Sequence, residues 1–152
     1  MAAPTNGPEL RVFLVEDHPG VREGLALLLG QNGMVPCGTA DDLRSAEEGI
    51  TASDPAVVIL DLALGGEDGL ALLEWMNAQG RSTPVLVYSI FEDAPHVASA
   101  LSAGAAGYVT KQADPGHLVA AVRAVARRDR YLDPIAASAV GWIENHPEGG
   151  LS

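Results

Sequence analysis

The sequence is short of cysteine, of basic residues and of long apolar runs, and each shortage removes a class of protein. Cys37 is the single cysteine, so no internal disulfide framework exists and the chain fits a reducing, cytoplasmic compartment. It reads as a small buried packing residue. No apolar run approaches the roughly 18 residues that a membrane span needs. The opening MAAPTNGPE lacks the basic and apolar regions of a signal peptide and reads as a loose tail over residues 1–9. Nine basic residues face 20 acidic ones, a formal net charge of −11. Direct nucleic-acid binding by this chain is thereby disfavoured, because phosphate contacts need clustered Lys and Arg. Arg123, Arg127, Arg128 and Arg130 are the local exception. They read as favourable charge at a helix C-terminus, with a contact surface for an acidic partner or a second copy as the alternative. No G-x-x-x-x-G-K-[ST] motif is present, which speaks against a nucleotide site.

What is present alternates. An apolar content of 47% over 152 residues suits one folded domain with a full core. Val57 to Leu60 is a continuous β-branched run introduced by Asp54-Pro55, as expected of a strand covered on both faces. It ends on Asp61, and Gly-rich chain follows. Alone, Asp61 reads equally as a strand terminus or as a ligand-bearing acid. Arg11 to Val15 is a second such strand, ending on Glu16-Asp17. Met34 to Gly38, Val85 to Tyr88 (ending on Ser89) and Gly107 to Val109 (leading to Thr110-Lys111) complete five. Helical spacing falls between them: Val21, Leu25, Leu28 and Leu29; Ala40 to Ile50; Gly69 to Ala78; Ala94 to Ala103; and a helix from Asp114-Pro115 carrying Leu118, Val119, Val122 and Val125. This pattern predicts a doubly wound α/β fold, a five-stranded parallel sheet of order 2-1-3-4-5 with flanking helices. Tyr131 to Pro134 reads as a turn opening a further helix over Ile135 to Asn145. Residues 131–152 thus read as a linker helix and tail after a domain spanning 10–130, the breaker His146-Pro147 suggesting an interdomain linker.

Chemistry-bearing residues share one address in that topology. Glu16 and Asp17 end the first strand, Asp61 the third, Ser89 the fourth, and Lys111 follows the fifth. The first and third strands flank the topological switch point, where open α/β sheets place ligands. Carboxylates about 4 Å apart repel by roughly 4 kcal/mol at an effective dielectric near 20. Three of them call for a cation, and hard oxygen ligands with open positions suit Mg²⁺. An aspartate beside Mg²⁺ and a lysine can attack phosphorus. Asp17 as a helix cap, Lys111 as a surface lysine, and Ser89 and Tyr108 as ordinary strand residues remain the plain alternatives, and His18 reads as a solvent-side polar residue rather than a donor or ligand.

The segments LVEDHPGVREGL, VVILDLALGGEDGL, VLVYSIFED and AGAAGYVTK, over about residues 10 to 128, resemble the receiver domain of bacterial two-component response regulators. The EDHPGVREGL opening and the YLDP continuation resemble the NarL/FixJ subfamily, in which a receiver precedes a DNA-binding helix-turn-helix. The resemblance implies a flavodoxin-like fold with Asp61 as phosphoacceptor, and Mg²⁺ or Mn²⁺ held by Asp17, Asp61, Glu16 and the backbone carbonyl of Ala63. It also implies Lys111 pairing with the phosphoryl group, and Ser89 and Tyr108 as the switch pair. A sensor histidine kinase would be the donor and a homodimer the activated form, with DNA reached only through an output domain. The activity implied is that of a signalling domain, not an enzyme, with self-catalysed phosphotransfer and slow autodephosphorylation only. Departures from the pattern are Leu64-Gly65 in place of Met-Pro, which should loosen that loop, bulky Ile90 after the switch hydroxyl, and Gln112 in place of Pro after Lys111. Ile90 and Phe91 are expected to hinder access to the acid, and they keep open a phosphorylation-independent interaction module. A hydrolase of the aspartyl-phosphate type would need an acid where Ala63 stands.

Overall fold

The computed structural model describes residues 9–145. The expected tail over residues 1–8 and the His146-Pro147 break lie outside the described residues. In chain order, β1 (Leu10–Val15), α1 (Pro19–Gln31), β2 (Met34–Ala40), α2 (Leu43–Ser53) and β3 (Val57–Leu60) come first. A hairpin, β4 (Ala63–Leu64) and β5 (Glu67–Asp68), leads to α3 (Leu70–Ala78). Then follow β6 (Val85–Ser89), α4 (Ala94–Ser102), β7 (Gly107–Thr110), α5 (Pro115–Ala126), β8 (Tyr131–Leu132) and α6 (Pro134–Asn145). The main sheet is parallel throughout, in the order β2-β1-β3-β6-β7-β8.

The five expected strands take the expected order, and a sixth is added. Tyr131-Leu132, expected as a turn, pairs in parallel with the outer edge of β7, Gly107 opposite Tyr131 and Tyr108 opposite Leu132. A strand of two residues is too short to show periodicity in sequence. The second strand also runs further than expected. Ala40 pairs with Val15 and is buried, so the helix after it begins only at Leu43, capped by the carboxylate of Asp42 on the N–H of Ser45. Cys37, expected to be buried, is only half-buried, because β2 is the edge strand on that side.

Alternation along the strands divides the core into two layers. Val12, Leu14, Val57, Ile59, Leu86 and Val109 face α1 and α5, meeting Leu25, Leu29, Leu118 and Val122. Phe13, Val15, Val58, Leu60, Val85, Val87 and Tyr108 face the other helices, meeting Ile50, Leu72, Met76, Val97 and Ala139. Every residue of β3 is buried, as its unbroken apolar run requires. No helix among the described residues is long and apolar enough to cross a membrane.

Candidate phosphoacceptor and metal site

Backbone hydrogen bonds at the strand ends aim the polar side chains. As β1 ends, the N–H of Glu16 bonds to the carbonyl of Ala40, and the N–H of Asp61 bonds to that of Val15. On the far side the N–H of Lys111 bonds to the carbonyl of Ser89 at 2.8 Å. These contacts gather the carboxylates of Glu16, Asp17 and Asp61, with one oxygen from each lying within 4.8 Å of the others. Lys111 reaches across from β7, its Nζ donating to Glu16 Oε1 at 2.7 Å and Asp61 Oδ2 at 3.1 Å. Glu16 and Asp61 are buried, 2% and 5% exposed, while Asp17 is half-buried at the rim.

Surrounding backbone holds this arrangement. The N–H of Ala63 donates to Asp61 Oδ1 at 3.1 Å, and that of His18 to Glu16 Oε2 at 3.2 Å. Gly69 lies so close behind that a Cβ there would stand 2.6 Å from the carbonyl oxygen of Asp61. The Leu64-Gly65 loop, expected to be loose, forms the β4–β5 hairpin instead. Gly65 and Gly66 at its tip have positive φ, as a two-residue hairpin turn requires.

The charges do not balance internally. Three carboxylates face one ammonium. Two carboxylate charges 4.8 Å apart repel by roughly 3.5 kcal/mol at an effective dielectric near 20. Burial raises the pKa of Glu16 above its ordinary 4.5; the hydrogen bond from Lys111 opposes this, and the charge of Asp61 adds to it. For Lys111, burial works to lower the pKa, but hydrogen bonding to Glu16 and the charge of Asp61 prevail and raise it. A buried, oxygen-only, negatively charged pocket fits a hard divalent cation of the Mg²⁺ kind.

The other expected residues lie around this cluster without joining it. Ser89 is fully buried and its Oγ accepts from the N–H of Phe91 at 3.1 Å. Tyr108 is also fully buried, with its hydroxyl donating to the carbonyl of Phe91 at 2.7 Å. Burial pushes the Tyr108 phenol up to about 12, although hydrogen bonding with Ser89 works the other way. Ser89 and Tyr108 thus meet on one short stretch of backbone. Ile90 turns outward, 62% exposed, and Phe91 stacks on His96 with ring centroids 4.0 Å apart. His18 stays out of the cluster and caps α1, its Nδ1 accepting from the N–H of Val21. Of the arginines near the end of α5, Arg123 donates to the carbonyl of Asn32, Arg127 pairs with Asp129, and Arg128 donates to the carbonyl of Ser82. Asp133 is placed by the sequence only in a turn that opens a helix. It is fully buried and bound to Thr110 beside Lys111.

A doubly wound sheet in this order, with acids and a lysine gathered at the carboxyl edge, defines a flavodoxin-like domain whose acidic cluster lies at the switch point. The chain belongs to the response regulator receiver domain family, which matches residues 12–123. It is a signalling domain rather than a conventional enzyme. Its sequence is 32% identical to "Oxygen regulatory protein NreC" of Staphylococcus carnosus over 127 residues, 82% of this chain and 58% of that protein. The chain therefore spans less than two thirds of that relative. Among solved structures it is similar to a LuxR-family two-component response regulator from Aurantimonas sp. SI85-9A1, with a TM-score of 0.86 and 30% identity. That likeness covers 93% of this chain and all of the other. The receiver domain of the putative response regulator NarL from Mycobacterium tuberculosis is similar at 33% identity and a TM-score of 0.75, covering 80% of this chain and 98% of that one. These likenesses agree with the NarL-type resemblance of its opening and YLDP segments.

Proposed function

We propose that this chain is a phosphorylation-switched receiver in which Asp61 accepts a phosphoryl group from a sensor histidine kinase. The observation that carries the reading is Lys111 Nζ held against both Glu16 and Asp61 beside the half-buried carboxylate of Asp17. An Asp61 carboxylate oxygen attacks phosphorus, the new P–O bond forms as the P–N bond of the donor phosphohistidine breaks, and the electron pair returns to the imidazole. Lys111 offers a positive point charge to the transferred phosphoryl oxygens. A bound Mg²⁺ or Mn²⁺ would supply charge neutralisation. Glu16, Asp17, Asp61 and the carbonyl of Ala63 are the groups that would hold it. Self-catalysed dephosphorylation of Asp61 would be slow, since no further acid stands at Ala63 to activate water. Ser89 and Tyr108, joined through Phe91, would read the modification as a conformational change or a change in dimerisation. A transcriptional output domain, as in NarL-type regulators, is the expected target, in the cytoplasm and with DNA reached through that domain.

With Mg²⁺ and a small phosphodonor such as acetyl phosphate, the protein is expected to gain a hydroxylamine-sensitive acyl phosphate, and Asp61→Asn to gain none. Labelling that persists in the variant would refute the assignment. A second reading, a receiver that binds partners independently of phosphorylation, draws on Ile90 exposed beside Ser89. It predicts that solution mass and conformation stay the same when Mg²⁺ and beryllofluoride are added.

A further inference from the structure

Without β8, β7, the strand that leads into Lys111, would be an open edge. Strand β8 covers only its first half, because the carbonyl of Asp133, the next acceptor in the ladder, turns into α6 and accepts from the N–H of Ala137 at 2.8 Å. The next donor on that edge, the N–H of Thr110, would be buried and unpaired. Asp133 takes it with its side chain. Its Oδ2 accepts from the Thr110 N–H at 2.7 Å and from the Thr110 hydroxyl at 2.8 Å. Its Oδ1 accepts from the N–H of Ala136 at 2.8 Å, capping α6. Its own N–H donates to the carbonyl of Tyr108 at 3.1 Å. Asp133, Thr110 and Tyr108 are each 0% exposed.

We infer that Asp133 is a positioning residue of the phosphoacceptor site, coupling the placement of Lys111 to the seating of α6. The inference rests on the reading of Asp61 as phosphoacceptor. Thr110 is one peptide bond from Lys111, whose Nζ must span Glu16 and Asp61. On the inner edge, the backbone of Lys111 is fixed by Ser89; on the outer edge, Asp133 holds its neighbour. The same aspartate holds the backbone of Tyr108, whose hydroxyl bonds to the segment that also engages Ser89. Helix α6 in turn buries Ala136 and Ala139 in the core layer shared with α4 and β7. A shift of β7 on phosphorylation therefore pulls on the first turn of α6. By linkage, the seating of α6 alters the affinity of the site for a phosphoryl group by the same factor.

Lys111 is the only lysine in the sequence. Protein labelled with ¹⁵N-lysine thus gives one backbone amide resonance, and that resonance sits in the site. The test titrates beryllofluoride with Mg²⁺ into the full chain, following this resonance and hydrogen exchange over residues 134–145. In the unaltered protein the mimic is expected to shift the resonance and slow exchange in α6. Asp133→Asn replaces one accepting oxygen with a donor, and is expected to weaken the mimic at least about fivefold, the lower end of coupling between linked sites, and to uncouple α6 exchange from it. Binding of Mg²⁺ alone should not weaken. Thr110→Val, which keeps the backbone bond and loses the hydroxyl, should show part of this effect, and Thr110→Ser should restore it. This pair carries the test if Asp133→Asn does not fold. Unaltered mimic affinity and α6 response in the folded Asp133→Asn protein, or in Thr110→Val where only that pair folds, would overturn the inference alone. No response in the unaltered protein would overturn the phosphoacceptor reading, and this inference with it.

Discussion

Two buried carboxylate sites on one sheet edge are built on opposite logic. Asp133 stands alone among neutral donors, three hydrogen bonds satisfying its oxygens with no cation paired to it among the described residues. Glu16, Asp17 and Asp61 crowd together with one ammonium between them. The first site is complete in itself and acts only through the backbone it holds, since removing it strands buried donors. The second is left with excess negative charge, an arrangement suited to a cation. What separates them is whether the partners already present neutralise and saturate the acid.

The largest expected effect separates the two by the sign and size of a stability change. Asp133→Ala leaves the Thr110 N–H unpaired and α6 uncapped, a loss of roughly 2–4 kcal/mol in urea unfolding. Asp17→Asn removes one of the repelling acids and should leave stability unchanged or raise it. Equal losses in both would break the comparison. A smaller effect comes from Mg²⁺. At ten times its dissociation constant it should stabilise the folded protein by about 1.4 kcal/mol, and that gain should vanish in Asp17→Asn. Because burial holds Glu16 above 4.5, the folded site takes up a proton where the unfolded chain has already lost it. Without the ion, the contribution of Glu16 thus opposes folding increasingly as pH rises through the window just above 4.5. Mg²⁺ competes with that proton, so its stabilisation should fade as pH falls into the same window. Fading only below 4.5 would contradict the raised Glu16. The smallest effect lies at high pH. With Tyr108 pushed up to about 12, the folded protein retains a phenol proton that the unfolded chain releases near 10. Stability from this group is full below 10 and falls as pH rises from 10 to 12. A spectrophotometric titration should show Tyr108 still un-ionised at pH 11, and early ionisation would mean that the ring is not buried.

The sequence made one of these sites far more legible than the other. Runs such as VVILDL mark both a buried strand and the acid at its end, so Glu16, Asp17, Asp61 and Lys111 could be placed by topology alone. The cap partner of α1 was less visible. Asp17 and His18 both precede Pro19, and only the folded backbone shows that His18 turns back onto the helix while Asp17 faces the acids. Asp133-Pro134 announces a helix start, but its main partner, Thr110, lies 23 residues away and leaves no periodic trace. Nor does a two-residue strand. Ile90 and Phe91, expected to crowd the acid together, diverge: one projects outward and the other lies flat on His96.

The pairing of Lys111 with Glu16 spans 95 positions of chain, and its pairing with Asp61 spans 50. Such a contact closes only after four strands have aligned, which makes it among the later events of folding. A polypeptide emerging from the ribosome thus carries its acids long before it carries the amine that completes them. On the proposed role of Asp61, a half-folded copy would offer a donor the acids without the amine, and competence to receive a signal would certify that the sheet has closed.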